Sequence, residues 1–351
     1  MKQPLLFIII LFLAQNNLLA QSYVQIEDTN LTFLDATHIK PNEKKGAYYN
    51  EHWSYHVILD NDAELHLTFS ISHFAGFRGS ATGARLSILN WEGNDYHMAR
   101  EYGHDDLVYN EQEYKLALHP NRSIWFEGDP NKDHRFFLRT EKDGVYYDMS
   151  IHFNDPYKGF TMGDGVFKLG SDDEVGIFSH IPFSKVSGFI SLNQDTVNIS
   201  GIGFMDHIYQ TNVGTRLFET SYKFNERTEN GFSGGYFMVP KGHNNEVAGY
   251  AYTYDGKSLT LKYPENIKVL EERSVMGKTI PSNIQVTYSD NSIDAFLFNN
   301  VQEKISMLDE LSGLKKMFAK RFLGGEILFY RGKAQRNNSE AEVSFHISLV
   351  D

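Results

Sequence analysis

The chain has 351 residues, enough for two domains or one large all-β body, since domains run to roughly 100–200 residues. Its 33 basic against 45 acidic groups give a formal charge of -12, which excludes a nucleic-acid backbone as its main partner. Cysteine is absent, so disulfides, zinc–thiolate sites, iron–sulfur clusters and thiol catalysis are excluded, and any chemistry falls to oxygen and nitrogen groups.

At the amino terminus, Lys2 precedes ten consecutive apolar residues, Leu5 to Ala14, then a polar break at Gln15-Asn16-Asn17 and a small residue at Ala20. This pattern predicts a signal peptide over residues 1–20 and a periplasmic or secreted destination. Ten helical residues span about 15 Å, half of a bilayer core of about 30 Å, and no later apolar run is longer, so no transmembrane span is expected in the mature chain. A secreted chain without cysteine must hold together by burial, which favours closed β architecture.

From there the period is mostly two. Leu65, Leu67, Phe69 and Ile71 alternate with Glu64, His66, Thr68, Ser70 and Ser72; Tyr147, Met149, Ile151 and Phe153 alternate with Asp148, Ser150 and His152. Further strands are predicted over 53–59, 84–90, 197–204, 216–224, 235–239, 246–254, 258–262, 283–288, 326–332 and 342–349, with turns such as Asp143-Gly144 and Asp255-Gly256 between strands. The segment 172–182 is poor in alternation and reads as a waist. Two consecutive β-barrels are therefore expected, over 21–185 and 186–351. Glu303 to Leu323 breaks the pattern: Ile305, Leu308, Leu311, Leu314, Phe318 and Phe322 fall three or four apart, which predicts one amphipathic helix stopped near Gly324-Gly325.

Three places stand out as candidate sites. The densest is Gly201 to Gln210, where Asp206 and His207 emerge from a glycine-rich strand as an acid and its electrostatic neighbour. In a regular strand the two point to opposite faces, so both line one cavity only if a bulge intervenes; a turn aspartate and a rim histidine are the bland alternative. The second is Glu51, Trp53 and Tyr55, at a cavity mouth or, equally, filling a core. The third is Tyr250, Tyr252 and Tyr254, which with Tyr222 and Phe224 could form an aromatic wall or simply pack. The 14 histidines spell no metal motif; His52 and His56 share a strand face about 13 Å apart, so no metal or other cofactor is expected.

The stretch Ser187-Gly188-Phe189-Ile190, the segment Gly201-Ile202-Gly203-Phe204-Met205-Asp206-His207, the strand 216–225 and the E-x-W-x-Y element at Glu51, Trp53 and Tyr55 resemble the tandem lipocalin-like (calycin) superfamily. That group includes the carotenoid 1,2-hydratase or hydroxyneurosporene synthase proteins, secreted AttH-type relatives, the related pericyclases and the survival-factor proteins. The resemblance implies a fold of two lipocalin-like barrels and marks Asp206 as a candidate proton donor to an alkene. Hydratase-like members usually continue to a tryptophan and glycine, whereas this chain has Ile208-Tyr209-Gln210, with Phe218 and Tyr222 where another tryptophan is expected.

The first expectation is thus a secreted protein that binds a hydrophobic, lipid or isoprenoid-like small molecule through Glu51, Trp53, Tyr55, Phe204, Phe218, Tyr222, Tyr250 and Tyr252. The second is a hydratase or cyclase with Asp206 as general acid and His207, Tyr209, Glu219 or Tyr222 shaping the charge. A carbohydrate-binding or carbohydrate-cleaving β-sandwich using the same aromatics is the third. Oligomeric state is not legible in the sequence.

Overall fold

A computed structural model describes residues 22–351 apart from 45–46, 75–78, 120–122, 194, 310, 312 and 340. The expected signal segment lies outside the described residues. Among the described residues, twenty-four strands form two antiparallel sheets, one of 15 strands and one of nine. No helix among the described residues is long and apolar enough to cross a membrane.

The main path of the first sheet runs 94–103, 81–91, 64–74, 48–59, 195–210, 173–192, 145–154, 133–142, 124–129, 115–117 and 108–110. The two ends of that path supply one core: Met98 from the first strand packs in the same cluster as Leu116 near the last, with Trp53, Leu67, Phe126, Phe136 and Met149 between. Such a path curls into a barrel because the right-handed twist carries its apolar face inward. The second sheet runs 259–262, 248–254, 232–240, 218–227, 342–350, 327–336, 293–306, 278–288 and 264–275, and encloses Phe224, Phe237, Ile284, Phe296, Tyr330 and Phe345. The all-β, two-barrel architecture expected from the sequence is present.

Two expectations need correction. The division at 185/186 falls inside the 20-residue strand Asp173–Leu192, which pairs on both sides within the first sheet; the sheets change over at 211–217, after the strand Asp195–Gln210. Residues 175–182 are all buried, because one face of this strand fills the first barrel and the other supports the second. A strand covered on both faces loses its alternation, so it reads as a waist when it is an inter-barrel wall. The helix expected over 303–323 is also shorter. Residues 303–306 close the strand Ile293–Ser306, a turn follows in which Asp309 accepts the Ser306 N–H at 2.6 Å, and the helix is Gly313–Leu323. Gly324, at φ 76°, ends it where the sequence placed the stop, with the Gly325 N–H on the Lys320 carbonyl at 2.8 Å.

The barrels meet through the outer faces of their sheets. An aromatic and aliphatic cluster joins Phe160, Val175, Ile177 and Ile208 of the first to Phe218, Phe232, Tyr250 and Tyr252 of the second. Three ion-pair groups with little exposure lie at the same seam: Asp206 with Lys223, Glu64 with Lys333, and Glu303 with Arg331, the last reinforced by Ser87 and His97 of the first barrel.

Candidate functional site

A cavity of about 1050 Å³ lies between the two outer faces. Its floor is polar. The strand Tyr48–Leu59 contributes His52, Ser54 and His56; its neighbour Glu64–Phe74 contributes His66 and Thr68; Asp206 comes from Asp195–Gln210; and the second barrel adds Lys223, Tyr236, Arg331 and His346. The apolar part of the lining is Phe218, Ile305, Met307, Leu308, Leu311, Phe329 and the helix side chains Phe318 and Ala319, and Arg85, Arg100, Glu101 and Lys315 also border the cavity.

Alternation explains which candidates reach it. Residues 201–210 pair one for one with 59–50, so the strand stays regular, and the bulges sit instead on its other neighbour, between Ser179 and Ser184. Asp206 and His207 therefore point apart. Asp206 faces the cavity, in an ion pair with Lys223 and with Ser179 Oγ donating to it at 3.3 Å. His207 faces the interior of the first barrel, stacked on Trp53 at 4.6 Å between ring centres and bonded through Nε2 to Glu51 at 2.7 Å.

The E-x-W-x-Y element fastens the barrel end and contributes no side chain to the cavity floor. Glu51 also accepts the Asn42 N–H at 2.8 Å and the Tyr49 hydroxyl at 3.0 Å. Trp53 Nε1 donates to the Ile39 carbonyl at 3.0 Å, and the Tyr55 hydroxyl donates to His134 at 2.8 Å while His134 Nδ1 donates to the Gly128 carbonyl at 3.0 Å. Burial pushes the Tyr55 hydroxyl far up and holds His134 down to about 4, so both are neutral members of a packed network.

Several other candidates are displaced from the cavity. Tyr209 packs between Tyr49 and Phe178 and donates to Glu174 at 3.1 Å. Glu219 is exposed and accepts the Gly242 N–H at 3.3 Å. Phe204 is buried against Phe183 and His56, outside the cavity lining. Tyr222 fills the second barrel beside Phe345. The register Tyr222–Phe237–Gly249 and Lys223–Tyr236–Tyr250 puts Tyr222 and Phe224 on the face opposite Tyr250, so the expected five-residue aromatic wall does not exist. Tyr250 and Tyr252 cement the barrel seam against Phe160, and burial raises both hydroxyls well above the ordinary range. Of the named candidates, Glu51, Tyr55, Asp206 and Phe218 border the cavity, the side chains of Glu51 and Tyr55 being bonded to His207 and His134 of the first barrel. With Trp53, Tyr250 and Tyr252 in packing roles, the carbohydrate reading loses its sugar platforms.

The sequence reading missed Lys223, Tyr236, Arg331, His56, His66 and His346. The signal was the polar face of each amphipathic strand, which on a free barrel faces water and here faces a second barrel. Around this floor, burial alone would raise the Glu64 carboxyl, but the His56 hydrogen bond and the Lys333 ammonium bring it to about 2. Burial likewise opposes, and the His97 and Arg331 contacts overcome it, at Glu303, also about 2.

No protein-family model matches the sequence, and no curated protein matches it either. Solved structures do. The chain superposes on an AttH protein (NE1406) from Nitrosomonas europaea with a TM-score of 0.57 and 10% identity, over 89% of this chain and 98% of that one. CghA, solved with Sch210972, gives 0.60 and 10%, over 95% and 96%. Kievitone hydratase from Nectria haematococca gives 0.53 and 11%, over 91% and 93%. The chain shares its overall fold with these three structures. At this identity the likeness concerns fold alone, and the side chains above carry any functional argument.

Proposed function

We propose that the protein is exported and binds a hydrophobic, lipid or isoprenoid-like small molecule between its barrels. The apolar body of the ligand would lie under Phe218, Met307, Phe318 and Phe329, and a polar end would meet Lys223, Asp206 and Tyr236. The observation that carries this reading is the cavity itself: about 1050 Å³, with an apolar stretch and a polar stretch in its lining, the size and chemistry of a site for an amphipathic molecule. A fold neighbour solved with the small molecule Sch210972 supports it. Mild extraction followed by native mass spectrometry tests it: an apolar molecule bound one to one, or uptake from an isoprenoid panel, is expected, and the absence of both overturns the reading.

The second reading, a hydratase or cyclase, rests on Asp206 standing at the cavity floor and on kievitone hydratase among the fold neighbours. Its resting partner argues for an anchoring role, because a carboxylate held by an ammonium is poorly placed to donate a proton. The Asp206→Asn variant separates the two: a general acid would cost at least about 100-fold in turnover, whereas unchanged turnover of an identified substrate removes Asp206 from the chemistry.

A further inference from the structure

We propose that His56, His66 and His346 form a binding site for one divalent transition-metal ion of the zinc type on the wall of the cavity. His56 and His66 are direct cross-strand partners, with rings stacked 4.5 Å apart at 10°. His346 comes from the other barrel and stands edge-on to both, at 5.5 and 5.1 Å between ring centres. One ring nitrogen from each lies within 4.8 Å of the other two. In a tetrahedral site with metal–nitrogen bonds of about 2.0 Å the nitrogens sit about 3.3 Å apart. Ring rotations that move each nitrogen by roughly 1 Å therefore close the site.

Packing alone accounts poorly for this trio. Buried imidazoles ordinarily bond through both nitrogens, yet among the described residues no hydrogen bond reaches the His346 ring, and the polar contact of His66 is Glu64 at 3.8 Å. His56 has the carboxylate partner a ligating histidine keeps, with Glu64 2.9 Å from its Nε2, while the Asn225 amide lies at a long 3.5 Å from Nδ1, a contact that an ion at Nδ1 would replace. The nearby cations do not oppose a dication as a group, because each has its own carboxylate: Lys223 has Asp206, Arg331 has Glu303 and Lys333 has Glu64. Three neutral nitrogens without thiolate suit zinc, cobalt or nickel and suit magnesium or calcium badly. The open coordination position would face the cavity, although metal binding itself requires no organic ligand.

The test uses the purified protein stripped with a chelator. Zinc calorimetry should show one tight equivalent, and cobalt should give the intense visible bands of a four-coordinate ion. His66→Gln and His346→Gln should each weaken binding at least about 100-fold, and Glu64→Gln about 10-fold or more. His104→Gln, in the separate Glu43, His73 and His104 group, should leave the cavity equivalent unchanged. Absence of stoichiometric binding, or binding indifferent to both His66 and His346, overturns the proposal. If a histidine variant does not fold, zinc-edge anomalous scattering from wild-type crystals decides: a peak among the three rings supports the site, and a peak elsewhere or none refutes it. Either result leaves uptake of an apolar ligand to be measured separately.

Discussion

Lys223 is the residue on which the seam and the floor both depend. Its ammonium crosses from the second barrel to Asp206 of the first with little exposure on either side. Removing one partner of a buried pair leaves the other charged and unpaired, which costs about 3–5 kcal/mol. Lys223→Met should therefore lower the unfolding free energy measured in urea by that much, and Lys223→Met/Asp206→Leu should recover most of the loss; equal destabilisation in the double variant would show that the pair is not the cause. Asp206 was legible in the sequence, but Lys223 was not, being one of 33 basic residues. Gly188 is the opposite case. It belongs to the stretch that carried the family resemblance, and its reason is geometric: at φ 154° it lies so close to the neighbouring strand that a Cβ would sit 1.9 Å from the Ser150 carbonyl.

Among the elements, the strands were readable wherever one face met a core and the other stayed polar, as in 64–74, whose polar face lines the cavity, and 145–154. Asp173–Leu192 was not, because two barrels cover it. The helix Gly313–Leu323 failed in a different way: its period is real, but the stripe does not face a core. Ala319 and Leu323 are buried, whereas Leu314 is 69% and Phe318 58% exposed beside the cavity mouth. An exposed apolar helix at a mouth suits entry of an apolar ligand. Leu314→Glu/Phe318→Glu should change stability by no more than about 0.5 kcal/mol yet slow uptake of a fluorescent polyene at least about tenfold by stopped flow. An unchanged association rate would take the helix out of the entry route.

Over the whole molecule, buried titratable groups make the fold acid-sensitive. His134 falls from 6.5 to about 4 and His180 lies well below 6.5, both through burial. Groups lowered in the folded state contribute stability above their ordinary values and lose it as the pH falls toward the folded ones, here from 6.5 downward. His134 alone accounts for about 3 kcal/mol across that range. Glu64 and Glu303, each near 2 against an ordinary 4.5, add a second loss below pH 4.5 at the barrel seam. His97 runs the other way, since the Glu303 hydrogen bond raises it; its share is present below 6.5 and fades above its raised value, but it is half-exposed and the smaller effect. Scanning calorimetry should show Tm falling steadily from pH 7 to pH 4, and a Tm that holds or rises over that interval would contradict the buried networks.

Two barrels were legible from periodicity. The cavity was not, because it exists where two polar strand faces, each ordinary alone, are set against each other. Its occupancy is the central claim, and a crystal structure of the protein with a C20 isoprenoid alcohol tests it most directly. The ligand should lie between the barrels, with its hydroxyl within hydrogen-bond reach of Lys223 or Asp206 and its chain along Phe218 and Phe318. Density inside either barrel, or none at saturating ligand, would contradict the account.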